Sequence, residues 1–187
     1  MLTCLAAAVL WAGCWQKSVE PFYQAKDLAF NPALAGTWFD ENENPDKRAS
    51  WTFTARKDQG YLLEIKEADE TMEYDVHWFR LGGRDYLDFF SRKRSMSEIP
   101  AHHLLQVGME DGKVQLKFLS LGWVEKWLKA HPQSLGHLRV VDSDDPDNTD
   151  KMEFVLSAPT ADLQKFILEH RDAEGFFDGE GILVRGK

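Results

Sequence analysis

From Asn31 onward the chain runs in short stretches whose apolar residues recur at every second position, with turn residues between them. That period commits it to pleated strands. Trp51, Phe53 and Ala55 share one face of a first clear strand and Tyr61, Leu63 and Ile65 one face of the next, with Asp58-Gln59-Gly60 turning between them. Tyr74, Val76 and Trp78 alternate with Asp75, His77 and Phe79; after Gly82-Gly83 the run Tyr86 to Phe90 makes a further strand, apolar on both faces. His102 to Met109 and Lys113 to Leu119 flank Glu110-Asp111-Gly112, a hairpin signal whose glycine accepts positive φ. Leu138 to Val141 and Met152 to Leu156 bracket an acidic loop and are expected to pair, and Phe176 to Arg185 reads as a closing strand.

Two helices interrupt this series. Trp123, Trp127 and Leu128 form the stripe of a short one that Pro132 stops; Thr160 is expected to cap a second, with Leu163, Phe166, Ile167 and His170 at helical spacing. The fold class is therefore mainly β: an antiparallel barrel of about eight strands with one or two short helices. Closure removes the sheet edges that an open meander would expose to aggregation. Seven Trp, twelve Phe and four Tyr suit such half-buried pleated surfaces. At 187 residues the chain fits one domain with a core of its own.

Met1 to Trp15 carries no charge, and its apolar run is shorter than the roughly 17 to 25 residues a membrane-spanning helix needs. Residues 1–14 read as a signal peptide. Ala12 and Gly13 directly before Cys14 resemble the bacterial lipoprotein signal, a leucine-alanine-glycine-cysteine box cut before the cysteine, whose thiol then receives lipid. That resemblance implies lipidation at Cys14 and loss of Cys4; the alternative is an apolar first element that packs onto the domain. Residues 15–30 mix charge and aromatics without a period and are assigned as a linker, leaving 31–187 as the barrel domain.

The net charge of −9, with no basic run longer than Arg92-Lys93-Arg94, leaves no footprint for a phosphate backbone, so nucleic acid is excluded as a partner. It also removes adsorption to anionic lipid, so attachment to a membrane rests on the N-terminal anchor. His102 and His103 are adjacent on a strand and point to opposite faces; with no H-E-x-x-H pattern, the six histidines are assigned to no metal. Asp142, Asp144, Asn148, Asp150 and Glu153 fall at calcium-loop spacing, but Pro146 and Asp147 break the pattern at its fifth and sixth positions, which favours a solvated loop. No nucleophile elbow, P-loop or dinucleotide fingerprint occurs, so no catalytic residue and no cofactor is assigned. Ser95, Ser97 and Ser134 sit in polar loops without a neighbouring base, and pairs such as Asp85 with Asp88 are commonplace in so acidic a chain.

Gly36-Thr37-Trp38 resembles the glycine-x-tryptophan signature that opens the lipocalin and wider calycin barrels. The resemblance implies that Trp38 closes the barrel base and that an arginine, with Arg185 and Arg139 as candidates, stacks on it. The family's later threonine-aspartate-tyrosine motif is absent, and Leu87-Asp88-Phe89 stands in a comparable place. The layout also resembles bacterial lipoproteins of this barrel type. The expectation is a lipid-anchored protein of the cell envelope, on the periplasmic side of a bacterial membrane. Its barrel binds a small apolar or amphipathic ligand in a cavity lined by Trp51, Phe53, Tyr61, Trp78, Tyr86 and Phe118. The alternatives are that these rings are core, and that the chain is a structural or protein-interaction module of the envelope.

Overall fold

The computed structural model describes residues 15–44, 48–68, 70–92, 100–140 and 153–186. In chain order the strands are β1 (Lys17–Ser18), β2 (Leu28–Ala29), β3 (Gly36–Asp40), β4 (Ser50–Ala55), β5 (Gly60–Glu67), β6 (Glu70–Leu81), β7 (Arg84–Ser91), β8 (His102–Glu110), β9 (Lys113–Leu119), β10 (His137–Val140), β11 (Glu153–Leu156) and β12 (Phe177–Arg185). The helices are α1 (Leu121–Ala130) and α2 (Thr160–His170).

Strands β3 to β9 follow one another as an antiparallel meander, and β12 closes it between β9 and β3. The result is the closed eight-stranded antiparallel barrel that the period-two runs call for. Asp111 and Gly112, both at positive φ, turn β8 into β9, the conformation that matches the twist of a two-residue hairpin. Ring by ring the register carries apolar residues across the wall on one face: Trp38 opposite Trp51, Trp51 opposite Ile65, Ile65 opposite Met72.

Alternation then sorts two cores. The interior holds Leu34, Trp38, Trp51, Phe53, Tyr61, Leu63, Ile65, Val76, Trp78, Leu87, Phe89, Leu105, Val107, Val114, Leu116, Phe118 and Leu183, all buried. The second core lies on the outer wall, where Phe79, Leu81, Tyr86 and Leu104 pack against Val124 and Leu128 of α1 and Leu163, Phe166 and Ile167 of α2. The helices therefore cover the outside of the sheet. Ser120 caps α1, accepting from the Trp123 amide. Thr160 does not cap α2: it is the helix's first residue, and its hydroxyl donates instead to the Pro21 carbonyl.

Residues 15–30, expected as a linker, belong to the folded unit. β1 runs parallel to β11 and meets β8 through Ser18 and His102, β11 pairs in turn with β10, and β2 takes the edge of β6 where β5 ends. Phe22 is fully buried, its amide donating to Asp88, and Gln164 of α2 donates to both the Phe22 carbonyl and Asp27. The stretch lacks a period because it crosses the wall in two-residue strands and short turns, with its backbone groups satisfied by side chains more than 60 residues away.

Candidate functional site

The barrel has two unlike ends. At one, the connections 56–59, 82–83 and 111–112 are short, and Pro32–Leu34 forms a 3-10 turn that leads into β3. Trp38 lies there, its indole N–H donating to the Leu34 carbonyl over 2.7 Å. The Arg185 guanidinium stacks 4.2 Å above the Trp38 ring and donates to the carbonyls of Ala35 (2.9 Å) and Ala33 (2.7 Å). Gly36 has φ of +126°, and a Cβ there would overlap Arg185 Nη1. Glycine is required both by its backbone and by the arginine laid across it. Of the two arginines the sequence offered, Arg185 takes this place, while Arg139 sits on β10, outside the barrel. The Tyr61 hydroxyl donates to the Asn31 carbonyl (2.8 Å) and accepts from the Asn31 amide (2.9 Å) beneath a stacked Phe30; burial raises its pKa. This end is sealed by hydrogen-bonded structure.

The other end carries the long connections 41–49, 92–101 and 120–176. Trp15, bridged to Ser120 just past the end of β9, stacks on Phe118 at 4.5 Å and stands edge-on to His103 at 5.6 Å. Below it, Phe89 lies within 6.4 Å of Trp51 and 5.7 Å of Tyr74. His103 shares the inward face of β8 with Leu105 and Val107, opposite Phe89. Its Nδ1 is sealed from solvent and has no hydrogen-bond partner. Leaving a buried polar atom unpaired costs about 1–3 kcal/mol, so a native protein that keeps one invites a reason. Burial first, and the Lys17 charge second, push the His103 pKa down to about 4, so the imidazole is neutral at pH 7.

Five of the six residues assigned to the cavity, Trp51, Phe53, Tyr61, Trp78 and Phe118, are buried together on the inner face. Tyr86 is not with them. Leu87 and Phe89 face inward, so Tyr86, one residue away, points out and stacks on Phe79 at 5.4 Å beneath the helices.

On the outer wall Asp88 is fully buried, with His102 Nδ1 at 2.7 Å and the Phe22 amide at 2.9 Å. The Tyr23 hydroxyl bonds His77 Nδ1 at 3.1 Å; burial, then the Asp88 charge, push the tyrosine up to about 12, and burial lowers His77. These groups bind the N-terminal segment to β6–β8. Asp85 belongs elsewhere, in an exposed pair with Arg80. His131 stacks on Trp127, His137 stands edge-on to Phe154, and His170 packs among Trp123, Trp127 and Phe166. Among the described residues no three His, Cys, Asp or Glu are placed to hold a metal ion, and no helix is long and apolar enough to cross a membrane. Cys14, the loop Asp142 to Asp150, and Ser95 and Ser97 lie outside the described residues.

Sequence reasoning put His102 and His103 on opposite faces without assigning either to the interior, and it missed Trp15, whose place depends on the segment assigned as a linker. No family model, curated protein or solved structure matches the chain.

Proposed function

We propose that the chain is a lipid-anchored envelope protein with a lipocalin-like barrel that holds a small amphipathic ligand. The supporting observation is the His103 Nδ1, an unpaired polar atom on the inward face of β8, beside an interior of aliphatic and aromatic side chains. Ligand sites are mostly apolar concavities with a few polar groups placed to orient the guest. The lipocalin-like assignment draws on the Gly36, Trp38 and Arg185 arrangement at the sealed end. A guest enters from the opposite end, where Trp15 lies over Phe118 and His103.

The test of carriage is native mass spectrometry on the full chain extracted from membranes. A co-purified small molecule, released on denaturation, supports the reading. A chain of bare polypeptide mass, with Trp fluorescence unmoved by amphipathic probes, sinks it. The anchor is tested separately by labelled palmitate in cells: native chain takes up label and Cys14→Ala does not.

A second reading is an interaction module of the envelope. It draws on β10, which among the described residues pairs with β11 alone and exposes Leu138 at 45%. A strand edge of this kind accepts a partner's strand. Cross-linking in membranes that gives a specific protein adduct at Leu138, with no bound small molecule, would favour it.

A further inference from the structure

Resting on the lipid anchor in the reading above, we infer that the barrel sits directly on the bilayer. No tether separates Cys14 from the fold, so the end of the β1–β11–β10 sheet that carries Trp15, Val140 and Leu138 is held against lipid. The sealed end at Trp38 points away from it.

The argument starts from where the ordered fold begins. Trp15 is the residue after Cys14. It is fixed in place: its backbone bridges Ser120 and its indole stacks on Phe118 at 4.5 Å. Gln16 follows, 1% exposed, with its side-chain amide donating to the Phe154 carbonyl over 2.8 Å, and Lys17 already lies in β1. A flexible linker of n residues reaches on the order of 5–6 Å × √n, but none intervenes here. Consecutive Cα atoms are about 3.8 Å apart. An acyl group on Cys14 brings that residue to the membrane surface, so Trp15 and the strands around it cannot stand off from the bilayer by more than about one residue.

The register says what else arrives there. Lys17 of β1 lies opposite Val155 of β11, and Val155 opposite Leu138 of β10, so these three share one face. Two residues back along β11, Glu153 lies opposite Val140, and two residues back along β1 the chain reaches Trp15. At the usual strand rise, Leu138 is about 7 Å further along the strands than the level of Trp15 and roughly 10 Å to one side, two strand spacings away. Leu138 is exposed, Val140 and Trp15 half-buried. The Lys17 ammonium is bound to Glu153 at 3.0 Å, so the charges on this face are paired.

These residues suit a lipid surface and not a charged one. Tryptophan is a side chain that favours the boundary between water and hydrocarbon. The net charge of −9 gives no attraction to anionic headgroups, so contact is made by the anchor and by apolar side chains. Phe30 and Leu168, also exposed, lie by the sealed end, beside Tyr61 and Gly82, and stay in water.

The experiment uses the lipidated full chain, purified from membranes and reconstituted into phosphatidylcholine vesicles whose acyl chains carry bromine, a short-range quencher. A fluorophore is attached at Leu138→Cys or, for the sealed end, at Lys57→Cys in the exposed turn 56–59. With Cys4 lost and Cys14 carrying lipid, the introduced thiol is the one that reacts. The expected result is quenching at 138 several-fold stronger than at 57. It falls to the level at 57 when a Gly/Ser linker of about twenty residues, whose ends average roughly 25 Å apart, is inserted between Cys14 and Trp15. Equal quenching at the two positions, including none at either, or quenching at 138 that survives the linker, overturns the inference; palmitate on Cys14 in the same preparation leaves the anchor standing. A chain with no lipid on Cys14 overturns the anchor and the inference together.

Discussion

Replacing Gly36 by alanine tests the seal at the closed end, because two separate costs meet at that residue. The backbone sits at φ +126°, outside the region open to side chains, and forcing an L-residue there costs on the order of 1–3 kcal/mol. The new Cβ also occupies the place of Arg185 Nη1, so the guanidinium must leave. Leaving forfeits the stacking on Trp38, worth roughly 0.5–1 kcal/mol for an exposed arginine. It also forfeits two charge-assisted hydrogen bonds to Ala33 and Ala35, each worth about 1 kcal/mol once discounted for solvent. Together Gly36→Ala should destabilise by about 3.5–6 kcal/mol. Urea unfolding followed by Trp fluorescence measures it, in native and Arg185→Ala backgrounds. If the arginine's displacement is part of the cost, the second background removes that part and the alanine costs only about 1–3 kcal/mol there, a coupling of about 2.5–3 kcal/mol. Equal costs in the two backgrounds would refute the account of why this position is glycine.

Phe22→Ala should cost about 3–5 kcal/mol, since the ring is fully buried against α2 and the outer wall; a loss under about 0.5 kcal/mol would mean the N-terminal segment is a linker after all. His103 gives an acid limb: its folded pKa of about 4 lies below that of the unfolded chain, so the unfolded state binds more protons between pH 6.5 and 4. Stability is whole above pH 6.5 and falls as the pH drops toward 4, and His103→Phe should flatten that fall in urea titrations at stepped pH. Tyr23 gives the alkaline counterpart. With its hydroxyl pushed up to about 12, its contribution is present below pH 10 and lost between pH 10 and 12, and ultraviolet titration should show a tyrosine ionising near 12 that Tyr23→Phe removes.

The barrel was legible because its signal is redundant. Each hairpin states its own register through alternation, and Trp51, Phe53, Tyr61, Leu63 and Ile65 all fall where period two puts them. Tyr86 was misplaced by a strand with apolar residues on both faces, where alternation of hydrophobicity carries no sign; the sign comes from α1 and α2 covering the outer wall, elements that begin 35 and 74 positions further along the chain. Residues 15–30 escaped for a related reason. Their order comes from Asp88, Thr160 and Gln164, whose polar side chains look in sequence like any others on an acidic surface.

The candidate site lies where these two kinds of information meet. Alternation alone put the adjacent histidines of β8 on opposite faces, and the structure places His102 outward and His103 inward, with different surroundings brought to each. On the outer side Phe22 and Asp88 complete the surroundings of His102 with a carboxylate and an amide. On the inner side Trp15 stands edge-on to His103, whose Nδ1 is left without a partner. A segment with no period of its own thus helps to set which histidine is structural and which is left with an unpaired nitrogen. Removing Trp15, and not altering the barrel wall, is therefore the change that should open the inner histidine to solvent and supply water to Nδ1.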